Sequence, residues 1–203
     1  MLSVEKYQDE FNNFLKNFIP PSHPNNLYDP VKYILSLNGK RIRPILTLLT
    51  CDLFKKEYKS ALNAALAVEV FHNFSLVHDD IMDEAPLRRG RDTVHIKWDL
   101  NTAILSGDVM LILAYQLFEN YSGNTFVSLA KLFSKTAVQV CEGQQMDIDF
   151  TKQNIVSVSQ YLKMIEYKTA VLIGAAMKMG AIVAKTSDSN QKNIYDFGKN
   201  LGL

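Results

Sequence analysis

Residues 61–83 read ALNAALAVEVFHNFSLVHDDIMD. Apolar side chains recur in this stretch at three- and four-residue steps instead of alternating, the periodicity of a buried helix. The pattern, which opens near Ser60, stops before Ala85-Pro86, because a residue preceding proline is disfavoured in helical geometry. Outward from this segment the same spacing persists, and nine glycines and six prolines are few for 203 residues. Asp29-Pro30 reads as an N-cap and first helical residue opening VKYILSLN, with Gly39 as its C-terminal cap, and Pro44 starts the next helix. Further helices are expected over Thr102 to Tyr121, Thr125 to Asp149, Ser157 to Lys185 and from Ser189 onward. LRRGRDT (87–93) reads as a loop, and no strand, repeat or linker is expected. One all-α domain over 1–203 follows.

Composition removes several function classes. Twenty-two basic residues against 21 acidic ones leave a net charge of +1, so no bulk attraction to nucleic acid or an anionic membrane is expected. Cys51 and Cys141 lie far apart in apolar helical contexts, which reads as buried thiols in a reducing, cytoplasmic setting. The first fourteen residues carry early acidic charge and lack the apolar run of a signal peptide. AILSGDVMLILAYQLF (103–118) and AVLIGAAMKMGAIVA (170–184) read as too short for a membrane span and are interrupted by Asp108 and Lys178.

The chemistry sits at the end of the opening segment. On a helix, Asp79 and Asp83 lie one turn apart on one face, with Asp80 beside them. Clustered carboxylates repel, and an all-oxygen ligand set of this kind suits Mg²⁺ shared with phosphates; alone, the motif also describes a solvated acidic helix end. The arginines decide between these readings. All five fall in two short clusters, Arg41 and Arg43, then Arg88, Arg89 and Arg91, whereas the 17 lysines are scattered. Arginine is thus confined to places where planar, bidentate contact with phosphate oxygens is useful. Lys40 and Arg43, three apart at a helix start, share a face near the positive end of the dipole. Carboxylates beside guanidinium clusters suggest a metal clamp with direct cationic contacts, the physical answer to a diphosphate ligand. His72, seven residues before Asp79, reads either as a ligand on the same face or as a core histidine. His78 is expected to make a structural hydrogen bond, and Gln144 and Asp147 either line a cavity or pack between helices.

NGKRIRP (38–44), FHNFSLVHDDIMDEAPLRRG (71–90) and EYKTA (166–170), in this order and spacing, resemble three motifs of the trans-isoprenyl diphosphate synthases, or polyprenyl synthetases. EGQQMDID (142–149) and FGKNLGL (197–203) resemble weaker later motifs. The resemblance implies an isoprenoid synthase-type helical bundle around a central cavity. It implies a prenyltransferase that joins isopentenyl diphosphate head-to-tail to an allylic prenyl diphosphate. Asp79 and Asp83 would hold Mg²⁺, with Asp80 supporting or completing the cluster; Arg88, Lys168 and Thr169 would contact the allylic diphosphate. Lys40, Arg43, His72 and Arg89 would hold isopentenyl diphosphate without metal. No nucleophile is implied, because the protein supplies positioning, electrostatics and a dry cavity.

Chain length in the family tracks bulk just before the first aspartate motif, where Phe74 and Ser75 stand, so an aromatic floor favouring farnesyl or geranylgeranyl diphosphate is expected. The family carries a second aspartate-rich motif after a segment like FGKNLGL, so these 203 residues are expected to lack that motif and the C-terminal helices, and to be poorly active alone. The alternative is a noncatalytic partner subunit of a heteromeric prenyl synthase, whose first motif would be dispensable; a metal phosphohydrolase built on His72, His78-Asp79 and Asp108 fits its histidine spacing poorly. Asn38 and Asp92 depart from the family's usual glycine and proline. A homodimer is implied.

Overall fold

A computed structural model describes Met1–Leu203 as a bundle of ten helices and one short hairpin. In chain order these are α1 (Val4–Lys16), α2 (Asn25–Ser36), α3 (Ile42–Leu53), α4 (Leu62–Met82), the strands β1 (Leu87–Arg88) and β2 (Arg91–Asp92), α5 (Val94–Lys97), α6 (Leu100–Gln116), α7 (Gly123–Phe150), α8 (Val158–Ile165), α9 (Val171–Val183) and α10 (Asp188–Leu201). The fold is all-α, as the periodicity implied.

The segment that sets the fold is α4, and it runs through the centre. Its first two thirds are buried on nearly every face, because small residues such as Ala64, Ala65 and Ala67 let neighbouring helices approach while Leu66 and Phe71 fill the space between them. Burying a leucine or phenylalanine contributes about 1.5–3 kcal/mol each. Phe133 of α7 is a second anchor, meeting Phe71, Tyr115 and Phe118 edge-on at 5.0, 4.7 and 5.2 Å between ring centroids. Helices α3 and α9 pack backbone to backbone at Gly180, where a Cβ would come within 2.9 Å of the Cys51 nitrogen. Thr47 ties the same pair by donating to the Ala176 carbonyl at 2.9 Å.

Several boundaries differ from the sequence reading. Helix α2 starts at Asn25, five residues before Pro30, and ends at Ser36 instead of running to Gly39. It stops early because Leu37 turns extended so that its carbonyl accepts from both Arg41 (2.8 Å) and Arg89 (3.3 Å). Helix α3 begins at Ile42, two residues before Pro44, which is tolerated where first-turn amides have no intrahelical partner. The loop at 87–93 contains a two-strand ladder, Leu87 opposite Asp92 and Arg88 opposite Arg91. The span expected over Ser157 to Lys185 is interrupted by a π-helical turn, Glu166–Ala170. The helix expected from Thr102 starts at Leu100, with Asp99 accepting from the Thr102 amide. Cys51 is buried, but Cys141 is exposed. Residues Leu100–Asn120 are long and apolar enough to cross a membrane by length and composition, correcting the expectation that the segment is too short; its buried face packs in the bundle against α4 and α2.

Candidate active site

Helix α4 delivers Asp79 and Asp80 in its last turn and Asp83 as its C-cap, where the helix dipole is negative and carboxylates are least welcome. The helix closes with the Ala85 amide donating to the Asp80 carbonyl (2.9 Å) and the Glu84 amide to that of Ile81 (3.2 Å). This is a Schellman-type cap in which Glu84, at φ 49°, occupies the position glycine usually takes. The cap reverses the chain into the β1–β2 hairpin, whose turn residues Arg89 and Gly90 both have positive φ, 53° and 75°, as a two-residue turn requires. Thr93 donates to the Ala85 carbonyl at 2.7 Å and Tyr33 to that of Asp92 at 2.8 Å, pinning the hairpin to α4 and α2.

Arg88 therefore folds back onto the aspartates. Its Nε donates to both oxygens of Asp80 at 2.8 Å, and Nη2 lies 2.6 Å from Asp80 and 3.6 Å from Asp79. The Asp80 hydrogen bonds hold the Arg88 guanidinium above its ordinary pKa. Asp80 is buried, so it supports the site from behind instead of facing the cavity. Lys168, in the π-helical turn, reaches across from the far wall. Its ammonium donates to Asp147 of α7 at 2.6 Å and stands 3.4 Å from Asp79. Partial burial acts to lower the Lys168 pKa, but the Asp147 hydrogen bond and the Asp79 charge outweigh it and raise the value. Desolvation, then the neighbouring Asp79, pushes the Asp83 carboxyl up.

No three carboxylate, histidine or cysteine side chains converge here into a ready cage for a metal ion. A cation shared with phosphates does not need one, since Mg²⁺ in such sites takes one or two carboxylates and completes its shell from water and the ligand. The residues fit that mode. Asp79 Oδ1 is buried without a hydrogen-bond partner, because Lys168 is near enough for an ion pair but does not meet hydrogen-bond geometry, and Gln144 Nε2, of a residue lining the same cavity, is likewise unsatisfied.

Gly143 sets the distance between the two walls. A Cβ there would lie 2.7 Å from the Lys168 Cα and closer still to its nitrogen, so only glycine lets α7 rest on the π-helical turn. Gly143→Ala is expected to destabilise the chain by about 1–3 kcal/mol through overpacking, read by chemical unfolding.

Beside this wall lies the cation cluster. Arg41, at φ 50° before α3, does not face solvent. It forms a buried ion pair with Glu69 and donates to the Leu35 and Leu37 carbonyls at 2.9 and 2.8 Å. It is therefore a tie between α2, α3 and α4, unlike its neighbours in the motif. Lys40, Arg43, His72 and Arg89 line one cavity of about 380 Å³, with Lys40 exposed at its edge. Arg43 and His72 also line a second cavity of about 310 Å³ with Asp79, Lys168, Thr169 and Phe74, so the two spaces meet at the Arg43–His72 pair. Ser75 lines the second cavity too, its hydroxyl donating back to the His72 carbonyl at 2.8 Å. The ring of Phe74 packs on Phe71 and His78, at 5.4 and 4.8 Å. His78 makes the structural contact expected, 3.1 Å from the Ile104 carbonyl.

His72 is held neutral: burial, then the charge of Arg43, depresses its pKa well below the ordinary value, and its Nε2 lies 3.2 Å from Arg43 Nη1, which donates to it. Because the folded pKa lies below the unfolded one near 6.5, the unfolded chain takes up a proton first as pH falls. Stability tied to neutral His72 is thus complete above about pH 7 and declines below about 6.5. His72→Gln is expected to flatten that decline in unfolding midpoints measured from pH 7.5 to 5.

Sequence reading missed Glu69 and Gly143. The signal for Glu69 was a single carboxylate inside the apolar run AVEVF; for Gly143 it was a glycine in the interior of a 28-residue helix. Arg88 and Arg91 border neither of these cavities; Arg88 is held on the aspartates and Arg91 stands apart from both.

The polyprenyl synthetase family model matches residues 24–203. Geranylgeranyl diphosphate synthase of Methanosarcina mazei is 38% identical over 192 residues, covering 93% of this chain and 59% of that protein. Geranylgeranyl pyrophosphate synthase of Geoglobus acetivorans is 36% identical over 195 residues, covering 95% and 61%. A crystal structure of a geranylgeranyl pyrophosphate synthase superposes with a TM-score of 0.98 at 54% identity, covering all of this chain and 62% of that one. The chain thus spans about three fifths of the length of the curated relatives it matches. A match through nearly the whole sequence, together with an aspartate wall facing a cation cluster across joined cavities, places this chain in the polyprenyl synthetase family.

Proposed function

We propose that this chain carries the substrate-binding part of a Mg²⁺-dependent trans-prenyltransferase that condenses isopentenyl diphosphate with an allylic diphosphate to give a short-chain product, farnesyl or geranylgeranyl diphosphate. The observation that carries this reading is the meeting of two cavities at Arg43–His72, one lined by cations and the other running from Asp79 and Lys168 to the ring of Phe74. Lys40, Arg43 and Arg89 hold the isopentenyl diphosphate head without metal, and neutral His72 accepts from Arg43 to fix its guanidinium. Asp79 and Asp83 would hold Mg²⁺, while Asp80 anchors Arg88. Bound there, the metal would supply positive charge toward the diphosphate.

Arg88, Lys168 and Thr169 take the remaining negative charge as the allylic carbon–oxygen bond breaks. The cavity that Phe74 lines keeps water from the allylic cation until the isopentenyl double bond attacks it, and the resulting cation then passes a proton to the released diphosphate. No side chain acts as a nucleophile. Full turnover needs the second aspartate-rich segment that the family carries after FGKNLGL. The assembly is a homodimer in a cytoplasmic setting.

The test of the binding reading is titration of an unreactive allylic thiodiphosphate into this chain by calorimetry, with and without Mg²⁺. Binding that requires the metal supports it; equal affinity with chelator present overturns it. Phe74→Ala, in a form carrying the second segment, is expected to lengthen the product by at least one five-carbon unit, read by chromatography of the dephosphorylated alcohols. Unchanged product length would make the Phe74 ring core packing only.

A further inference from the structure

A third cavity, of about 490 Å³, opens on the other face of the hairpin. Two of its nine lining residues are hydrophobic, and three are cations: Arg89, Arg91 and Lys97. Neither Arg91 nor Lys97 has a carboxylate within ion-pair distance; Asp92, the cavity's one acid, pairs with neither. The Lys97 ammonium rests over the rings of Tyr33 and Trp98, 5.1 and 5.4 Å from their centroids. Cations gathered without counter-ions repel one another, and in a chain of net charge +1 this clustering does not follow from a basic composition. The cavity shares Asn38 and Arg89 with the one that Lys40 and Arg43 line. Arg89 forms the partition, its guanidinium lying against Gly39, where a Cβ would stand 2.9 Å from Nη1.

We propose that this cavity is a second anion site, an antechamber that binds a diphosphate group beside the isopentenyl diphosphate pocket, with Arg91 and Lys97 as its ligands and Arg89 shared between the two. Two guanidinium forks and an ammonium match the oxygen-rich, multiply charged head of a diphosphate. The scarcity of apolar lining means the head group is recognised and a prenyl tail is not. Lys97 leaves the aromatic faces to meet the anion, because a cation–π contact at an exposed site is weaker than a charge-assisted hydrogen bond. The choice of diphosphate rests on the function proposed above, whereas the existence of the site is tested without that reaction. The group has two sources, an incoming isopentenyl diphosphate or the inorganic diphosphate left after transfer.

Trp98 is the one tryptophan in the chain and lies against Lys97, so its fluorescence reports this cavity and not the other. Inorganic diphosphate is titrated into the chain with chelator present, following both Trp98 emission and heat. A saturable change in emission is expected, with Arg91→Gln weakening it roughly tenfold. Lys40→Gln is expected to remove a separate heat-detected event and leave the Trp98 response in place. The proposal is overturned if Trp98 does not respond, if chloride at equal ionic strength reproduces the response, or if Arg91→Gln responds like the parent chain. Repeating the titration with isopentenyl diphosphate separates the sources: tighter binding of the ester supports substrate entry, and equal or tighter binding of inorganic diphosphate supports product exit. Absence of prenyl transfer alongside an intact, Arg91-dependent Trp98 response would remove the proposed reaction without removing this site.

Discussion

Glu69→Ala is expected to lower the stability of the chain by about 3–5 kcal/mol. Glu69 and Arg41 are both buried, and the Arg41 guanidinium has no solvent to turn to once its counter-ion is gone. Asn73 loses an acceptor as well, since its Nδ2 lies 3.1 Å from the same carboxylate oxygen. The loss is compounded by charge: burial lowers the pKa of both Arg43 and Arg89 and the Glu69 carboxylate opposes that lowering, so its removal leaves cations facing one another. Urea unfolding measures the change. The double variant Arg41→Met/Glu69→Leu is expected to recover most of it, because replacing a buried pair with apolar residues of similar volume avoids both desolvation penalties. A single variant as stable as the parent would show that the pair does not tie α2, α3 and α4 together.

Asp79→Asn is expected to separate function from stability. The parent carboxylate sits at a negative helix end beside two other aspartates, with one oxygen buried and unbonded, so neutralising it leaves the fold as stable or slightly more so. Prenyl transfer by a form carrying the family's second aspartate-rich segment falls on the order of 10²–10³-fold. Unfolding midpoints together with initial rates make the distinction. A large loss of stability would mean that Asp79 is chiefly the partner of Lys168 and Arg88, and an unchanged rate would return the chain to the noncatalytic-subunit reading.

Much of this site was legible in the sequence because its residues are few in type and close in spacing. DDIMD must present carboxylates at one helix end, and confining every arginine to two clusters pointed to the second wall. What spacing could not show was which arginine faces inward: Arg41 and Arg43 are two apart, yet the left-handed backbone at Arg41 sends one guanidinium into the core and leaves the other beside His72. Lys168 gave no local sign of its partner, since Asp147 is 21 residues away and the two meet only because Gly143 admits the π-helical turn. Gly39 signals where a helix can end, but tertiary demand on the Leu37 carbonyl determined where α2 does end.

The central claim is prenyl transfer at the Asp79–Lys168 wall, and a radiochemical assay tests it most directly. Labelled isopentenyl diphosphate is incubated with Mg²⁺ and allylic starters of several lengths, using this chain and a form carrying the second aspartate-rich segment. Labelled short-chain prenyl diphosphate from the longer form, absent with chelator and far weaker from the 203-residue chain, is the expected result. No extended product from either form with any starter would contradict the account.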